Sequence, residues 1–248
     1  MTVEEMMDWL AASVTNDTLS IWDDGAEPAR HIPLQGADAH DVIRAQMERH
    51  GLTRAVLAGP ESPHKAIPCA PVTPSQALGV IHIPILTQTA PAAELPARQT
   101  ATVAGVLQAH PKFDGVICLT GPETYWVHVS AAEVISVAAS SADRLFRALY
   151  PHRLPTTDAA FNDALSAAQS RPERMLLTTS TQDPNRFMGS LIGAELTATR
   201  AWWLGQQVLA LGPTAHLRAH ALTAQATMVT TGADEPALLA GLRMAAGL

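Results

Sequence analysis

Along the chain, short apolar runs alternate with polar breaks rich in glycine and proline, a spacing that predicts an α/β protein. Thr18 to Trp22 reads as a strand, Asp23-Asp24-Gly25 as a turn and Ala29 to Leu34 as the return. Helical spacing runs from about Asp38, whose carboxylate can cap free amides, to His50, and Gly51 suits the left-handed exit. Arg54 to Ala58 is a strand ending at Gly59-Pro60. Residues 60 to 76 read as a loop, Gly79 to Leu86 as another strand and Gln99 to His110 as a helix.

The second half starts with FDGVICLTGPETYWVHV, residues 113 to 129. Val116 to Leu119 has the length of a buried strand, Gly121 and Pro122 break it, and Tyr125, Trp126 and Val127 resume with β-formers. Glu133 to Ala138 completes a three-strand meander. Helices are expected over Ala142 to Tyr150, Thr157 to Ser170 and Pro184 to Leu204. Asp183 is placed to cap the last of these, with Pro184 at its first position and Gly205 closing it. Its inner face carries Phe187, Met188, Leu191, Ile192 and Glu195, while Gly189 and Gly193 allow another backbone to approach. Val208 to Leu211 is a strand leading through Gly212-Pro213 into a helix, Met228 to Thr231 a last strand, and Glu235 to Ala246 a terminal helix. Each half thus opens with a meander, and two related α/β lobes are expected, residues 1–110 and 111–248.

Composition narrows the function. The 248 residues are 47% hydrophobic and 16% charged, enough for one large core or two modest ones. Apolar runs are too short for a membrane span. The start, MTVEEMMDWL, carries acids where a signal peptide needs bases, so a cytoplasmic protein is expected. Cys69 and Cys118 lie far apart, which fits a reducing compartment and argues against a thiolate zinc site. The formal charge is −7, without the basic stripe that nucleic acid binding requires. Lysine occurs only at Lys65 and Lys112, neither after a glycine-rich loop, so a P-loop is excluded. Phosphate, if bound, would be held by backbone amides, arginine or a metal ion.

Several residues invite two readings. The turn Gly121 to Thr124 either holds a phosphate or simply reverses the chain. His216 and His220 share a helix face at metal-ligand spacing, but no third ligand is identifiable. Glu195, an acid on an apolar face, either pairs with an arginine inside the fold or lines a cleft. Trp202 and Trp203 read as packing or interface residues, which admits a homodimer, and Trp126 as packing behind the hairpin.

The segments AVLAGPES, GVICLTGPETYWVHV, RFMGSLIGAEL, LALGPTAHLRAHAL and EPALLAGLRMAAGL, in this order, resemble those of the 2-dehydro-3-deoxygalactonokinases. The resemblance runs from about residue 53 to the end. It implies the two-lobed fold of the acetate and sugar kinases, Hsp70 and actin, which is ribonuclease H-like. It further implies transfer of the ATP γ-phosphate to 2-dehydro-3-deoxygalactonate, a small sugar acid, with Mg²⁺ screening the charge. On this basis Asp8 falls in a first phosphate loop and near the metal. Gly121 and Thr124 fall at the phosphates and Gly212 near the adenosine, with Gly59, Lys65 and Arg98 towards the sugar acid. The family pattern is not kept throughout. Leu10 stands at a glycine position; Pro122, Glu123 and Tyr125 replace Thr, His and Lys; Gln99 and Thr100 replace two glutamates; and Arg144 replaces an acid, with Asp143 beside it. No catalytic base is identified, and a non-catalytic relative that binds a metabolite or protein partner is the alternative.

Overall fold

A computed structural model describes residues 9–23, 29–175 and 182–248. The chain divides into two compact units, Met1–Phe113 with Ala132–Val134 and Asp234–Leu248, and Asp114–Ala131 with Ile135–Ala233. The terminal helix therefore joins the first unit, whereas the sequence reading placed it in a lobe spanning 111–248.

The first unit opens with the antiparallel meander β1 (Trp9–Thr15), β2 (Thr18–Asp23) and β3 (Arg30–Pro33), followed by α1 (Ala39–His50) and β4 (Arg54–Ala58). Next come β5 (His64–Ala66), β6 (Gly79–His82), β7 (Ile85–Thr89), β8 (Ala92–Leu95) and α2 (Ala97–Ala109). The main sheet has the order β3-β2-β1-β4-β6, and a smaller one β5-β7-β8. β1 and β4 pair in parallel, as do β4 and β6. Residues along β1 alternate between two cores. Trp9 and Ala11 join Trp22, Val56 and Ala58 on one face, while Leu10 and Ala12 join Ile21, Ile43, Met47 and Leu57 on the other. A strand buried on both faces reads as a continuous apolar run rather than an alternating one, which is why β1 escapes sequence analysis. The single strand expected over Gly79 to Leu86 is in fact β6 and β7, in different sheets, with the amide-less Pro84 at the break. The turn expected at Asp23-Asp24-Gly25 falls partly outside the described residues.

The second unit repeats the plan. β9 (Gly115–Leu119), β10 (Thr124–Ser130) and β11 (Glu133–Ser140) form the meander. Helices α3 (Ala142–Leu149), α4 (Ala159–Ser170), α5 (Pro184–Ala198) and α6 (Arg200–Trp203) follow, then β12 (Val208–Leu211), α7 (Ala215–Thr223) and β13 (Val229–Gly232). Its sheet order, β11-β10-β9-β12-β13, matches that of the first unit position for position. Again the first strand pairs antiparallel with the second and parallel with the fourth. The long helix expected over Pro184 to Leu204 breaks at Thr199. As expected, Asp183 caps it, accepting hydrogen bonds from the amides of Asn185 (2.9 Å) and Arg186 (3.1 Å).

The terminal helix α8 (Asp234–Ala245) returns to the first unit because two glycines let it pack against α2 almost backbone to backbone. A Cβ at Gly105 would fall on the Ala237 carbonyl oxygen, and one at Gly241 on that of Ala101. Leu238, Leu239 and Leu242 then reach the core around Trp9 and Trp22. Gly241→Ala is expected to destabilise the first unit by about 1–3 kcal/mol through overpacking. Urea unfolding would show this as a lower midpoint; an unchanged midpoint would contradict so close a crossing.

Candidate functional site

The β9–β10 turn is fixed at both ends by buried hydroxyls. Before it, Thr120 donates its Oγ1 hydrogen to the Leu211 carbonyl at the end of β12 (3.1 Å) and accepts from the Thr214 amide (3.1 Å). After it, Thr124 donates to Asp143 Oδ2 (2.8 Å) on α3. Thr124 is fully buried, so its hydroxyl serves the fold and does not face a phosphate as the resemblance implied. Between these anchors lie Gly121, the exposed Pro122 and the half-buried Glu123.

The two glycines of this region have different reasons to be there. Gly212 has φ +101°, and a Cβ on it would collide with the Thr120 carbonyl, so the approach of β12 to the turn requires glycine. That packing accounts for the residue without any contact to adenosine. Gly121 has no such constraint: a Cβ there would meet only the Glu123 carbonyl, at 3.6 Å. A Cβ would fit there even though the residue is buried.

Behind the turn lies a polar network centred on Arg218 of α7, which is completely buried. Its guanidinium bonds Glu195 through Nε (3.1 Å) and Nη2 (2.7 Å), and Nη2 also meets Asp143 Oδ2 at 2.7 Å. Thr214 donates to Asp143 Oδ1 (2.7 Å) and accepts from Arg218 Nη1 (3.1 Å). Glu195 also accepts from Trp126 Nε1 (3.1 Å) and Ser140 Oγ (2.7 Å). Burial alone would push the Arg218 pKa down. Glu195 and Asp143 together outweigh it and hold the guanidinium above its ordinary value. Glu195 is thus the internal, arginine-paired acid of the two readings given above. Asp143 takes the inward position next to the substituted Arg144. Burial raises the Cys118 thiol well above its usual range, the nearby Arg218 opposing it only in part, so Cys118 is no nucleophile.

Outside the network, the replaced residues bond to one another. Glu123 accepts from the Tyr125 hydroxyl (2.7 Å) through Oε2 and pairs with Arg144 Nη2 (2.7 Å) through Oε1. The acid that the sequence places beside a phosphate therefore already has a cation.

In the first unit, a cavity of about 240 Å³ opens among the β1–β2 turn, the start of α1 and the carboxyl ends of β4 and β6. Crevices at the carboxyl ends of parallel strands are the usual ligand sites of such sheets. Gly59 lines it, together with Asp17, Asp38, Glu61, His40 and His82. Neither lysine nor arginine is among its lining residues. His40 and His82 stack at 5.6 Å. Burial, assisted by His40, lowers the His82 pKa. Lys65 is not at this cavity but donates to the Ala70 carbonyl (2.9 Å). Arg98 pairs with Asp234 at 3.4 Å. Thr100 donates to the Leu95 (3.3 Å) and Pro96 (3.2 Å) carbonyls.

The first phosphate loop does not fall where the resemblance put it. Asp8 lies outside the described residues, and Trp9 and Leu10 are buried inside β1. The turn that joins β1 to β2 is Asn16-Asp17, flanked by the pair Thr15 and Thr18. Asn16 has φ +55°, and Asp17 Oδ2 accepts from the Gln35 amide (3.0 Å). Asn-Asp between β-formers is a hairpin signal and could have been found in the sequence. Arg218 could not, because nothing local marks the middle of HLRAH as buried. His220 bonds Asn162 Oδ1 (2.7 Å). Among the described residues, no group of three or more His, Cys, Asp or Glu could hold a metal ion. Asp143, the acid behind the turn, is already engaged by two threonines and an arginine. A Mg²⁺ held by the described residues would therefore rest on one or two carboxylates and water.

Two substitutions test this description. Arg218→Met leaves two carboxylates buried without their cation, and a loss of about 3–5 kcal/mol is expected; denaturant unfolding with near-wild-type stability would refute the network. Gly212→Ala is expected to cost about 1–3 kcal/mol, whereas Gly121→Ala should stay within about 0.5 kcal/mol of the parent. Equal effects in thermal denaturation would contradict the contrast drawn between the two glycines.

Comparison with solved structures finds two kinases of matching fold. A protein assigned as a 2-dehydro-3-deoxygalactonokinase from Sinorhizobium meliloti superposes with a TM-score of 0.78 at 18% identity, over 96% of this chain and 98% of that one. A protein assigned as an N-acetylmannosamine kinase from Listeria monocytogenes gives a TM-score of 0.50 at 10% identity, over 96% and 98% of the two chains. No curated protein sequence matches the chain significantly. The fold is that of the sugar kinases and actin-like ATPases, and the family model for 2-keto-3-deoxy-galactonokinase matches residues 40–245. The chain belongs to the 2-keto-3-deoxy-galactonokinase family.

Proposed function

We propose that this protein is an ATP-dependent sugar-acid kinase that transfers the γ-phosphoryl group to the terminal hydroxyl of 2-dehydro-3-deoxygalactonate. The observation that carries the reading is the match of the family model to residues 40–245. The doubled strand order and a turn at Gly121 anchored by buried hydroxyls are consistent with it. On this reading the phosphates approach the amides of the turn, whose concave arrangement suits anionic oxygens. A Mg²⁺ bound with the nucleotide would supply charge neutralisation there. Gly59 marks a cavity for the sugar acid. No described helix is long and apolar enough to cross a membrane.

A second reading is favoured by one specific observation. The family's paired glutamates are Gln99 and Thr100 here, and Thr100 spends its hydroxyl on backbone carbonyls. A protein without a carboxylate to assist the attacking hydroxyl would bind ligand and not turn it over. ADP release from Mg-ATP, with and without 2-dehydro-3-deoxygalactonate, separates the two. Sugar-acid-dependent ADP formation is expected. Its absence in folded protein that still binds the sugar acid would overturn the kinase reading in favour of the second.

A further inference from the structure

Glu123, Tyr125 and Arg144 occupy three positions where this chain departs from its family, and all three meet at one carboxylate. Arg144 is at the start of α3, its side chain 64% exposed; Glu123, in the turn, is 26% exposed. Gly121, itself buried, precedes Glu123 in the same turn. A guanidinium and a phenol hydroxyl converging on one carboxylate present the donors that a phosphoryl group would also accept. Arg144 is the more exposed of the pair, and α3 is anchored by the inward residues Asp143 and Phe146 rather than by Arg144. Glu123, in contrast, is tethered by the short turn and the Tyr125 hydroxyl.

We propose that Arg144 is the phosphoryl-binding cation of this turn and that Glu123 is its built-in competitor, holding the guanidinium until an anionic phosphoryl group displaces the carboxylate. The inference rests on the kinase reading for the identity of the ligand as a nucleotide, but the anion site stands on the geometry alone. An ion pair this exposed is weak, so displacement carries a small penalty and the carboxylate tunes affinity without abolishing it. Selectivity follows: a dianionic phosphoryl group outcompetes Glu123, whereas a lone carboxylate does so poorly.

The test is calorimetric titration of the full chain with inorganic pyrophosphate and, separately, with a Mg-bound non-hydrolysable ATP analogue, using the wild type, Glu123→Gln, Arg144→Gln and the double variant. Glu123→Gln is expected to bind pyrophosphate about fivefold more tightly than the wild type. Arg144→Gln should lose most of the binding. In the Arg144→Gln background the Glu123 change should have no effect, which excludes a general gain from removing one negative charge. Pyrophosphate affinity that is unchanged in Glu123→Gln, retained in Arg144→Gln, or undetectable in every variant would overturn the proposal. If the ATP analogue binds all four proteins equally, the kinase reading survives and Arg144 is not its phosphate ligand. If pyrophosphate follows the expected order while the analogue never binds, the anion site stands and the nucleotide reading falls.

Discussion

One buried guanidinium organises the second unit. Arg218 connects α7 to α5 through Glu195 and to α3 through Asp143, and those two carboxylates in turn hold Trp126, Ser140, Thr214 and Thr124. Taking such charges out of water is unfavourable unless each finds a partner, and here each does. The consequence for the surface is geometric. Thr120 and Thr124 are pinned from below, so the three residues between them are held in one shape whatever their side chains. The scaffold of the turn is therefore separable from its chemistry. Pro122, Glu123 and Tyr125 can differ from the family pattern while the backbone stays in place.

That separation also accounts for what sequence could and could not reveal. The second-half meander, the strand Val208 to Leu211 and the capped helix at Asp183 were legible, because turn residues and caps act locally. β1 was not. Its apolar residues run without alternation with polar ones, since both of its faces are covered, and the true hairpin at Asn16-Asp17 went unread with it. The terminal helix was found as a helix but assigned to the wrong unit. Nothing in a helical repeat states which partner it meets; only the matching Gly105 and Gly241 do, and their meaning appears once α2 and α8 are seen together. Among candidate site residues, Gly59 lines a cavity and Gly121 has room for a Cβ. Thr124 and Gly212 instead support the fold, and Lys65 and Arg98 are tied to local partners. Glu123 and Arg144 were each read as a loss. Their contact, across twenty-one positions of sequence, shows them as one unit.

The two units share a strand order but differ in electrostatics. The first presents a cavity lined by Asp17, Asp38, Glu61, His40 and His82, a setting for hydroxyl groups and screened charge. The second presents an anchored turn with one exposed arginine at its rim. A kinase of sugar acids needs both a place for hydroxyls and a place for phosphates, and this division of labour is compatible with that need.

The central claim is that the Gly121 turn is where this protein meets phosphate. Crystals of the wild-type chain soaked with a Mg-bound non-hydrolysable ATP analogue test it most directly. The account predicts phosphate oxygens over Gly121, with Arg144 turned from Glu123 towards them. Analogue bound elsewhere, with the Arg144–Glu123 pair intact and nothing at the turn, would contradict it.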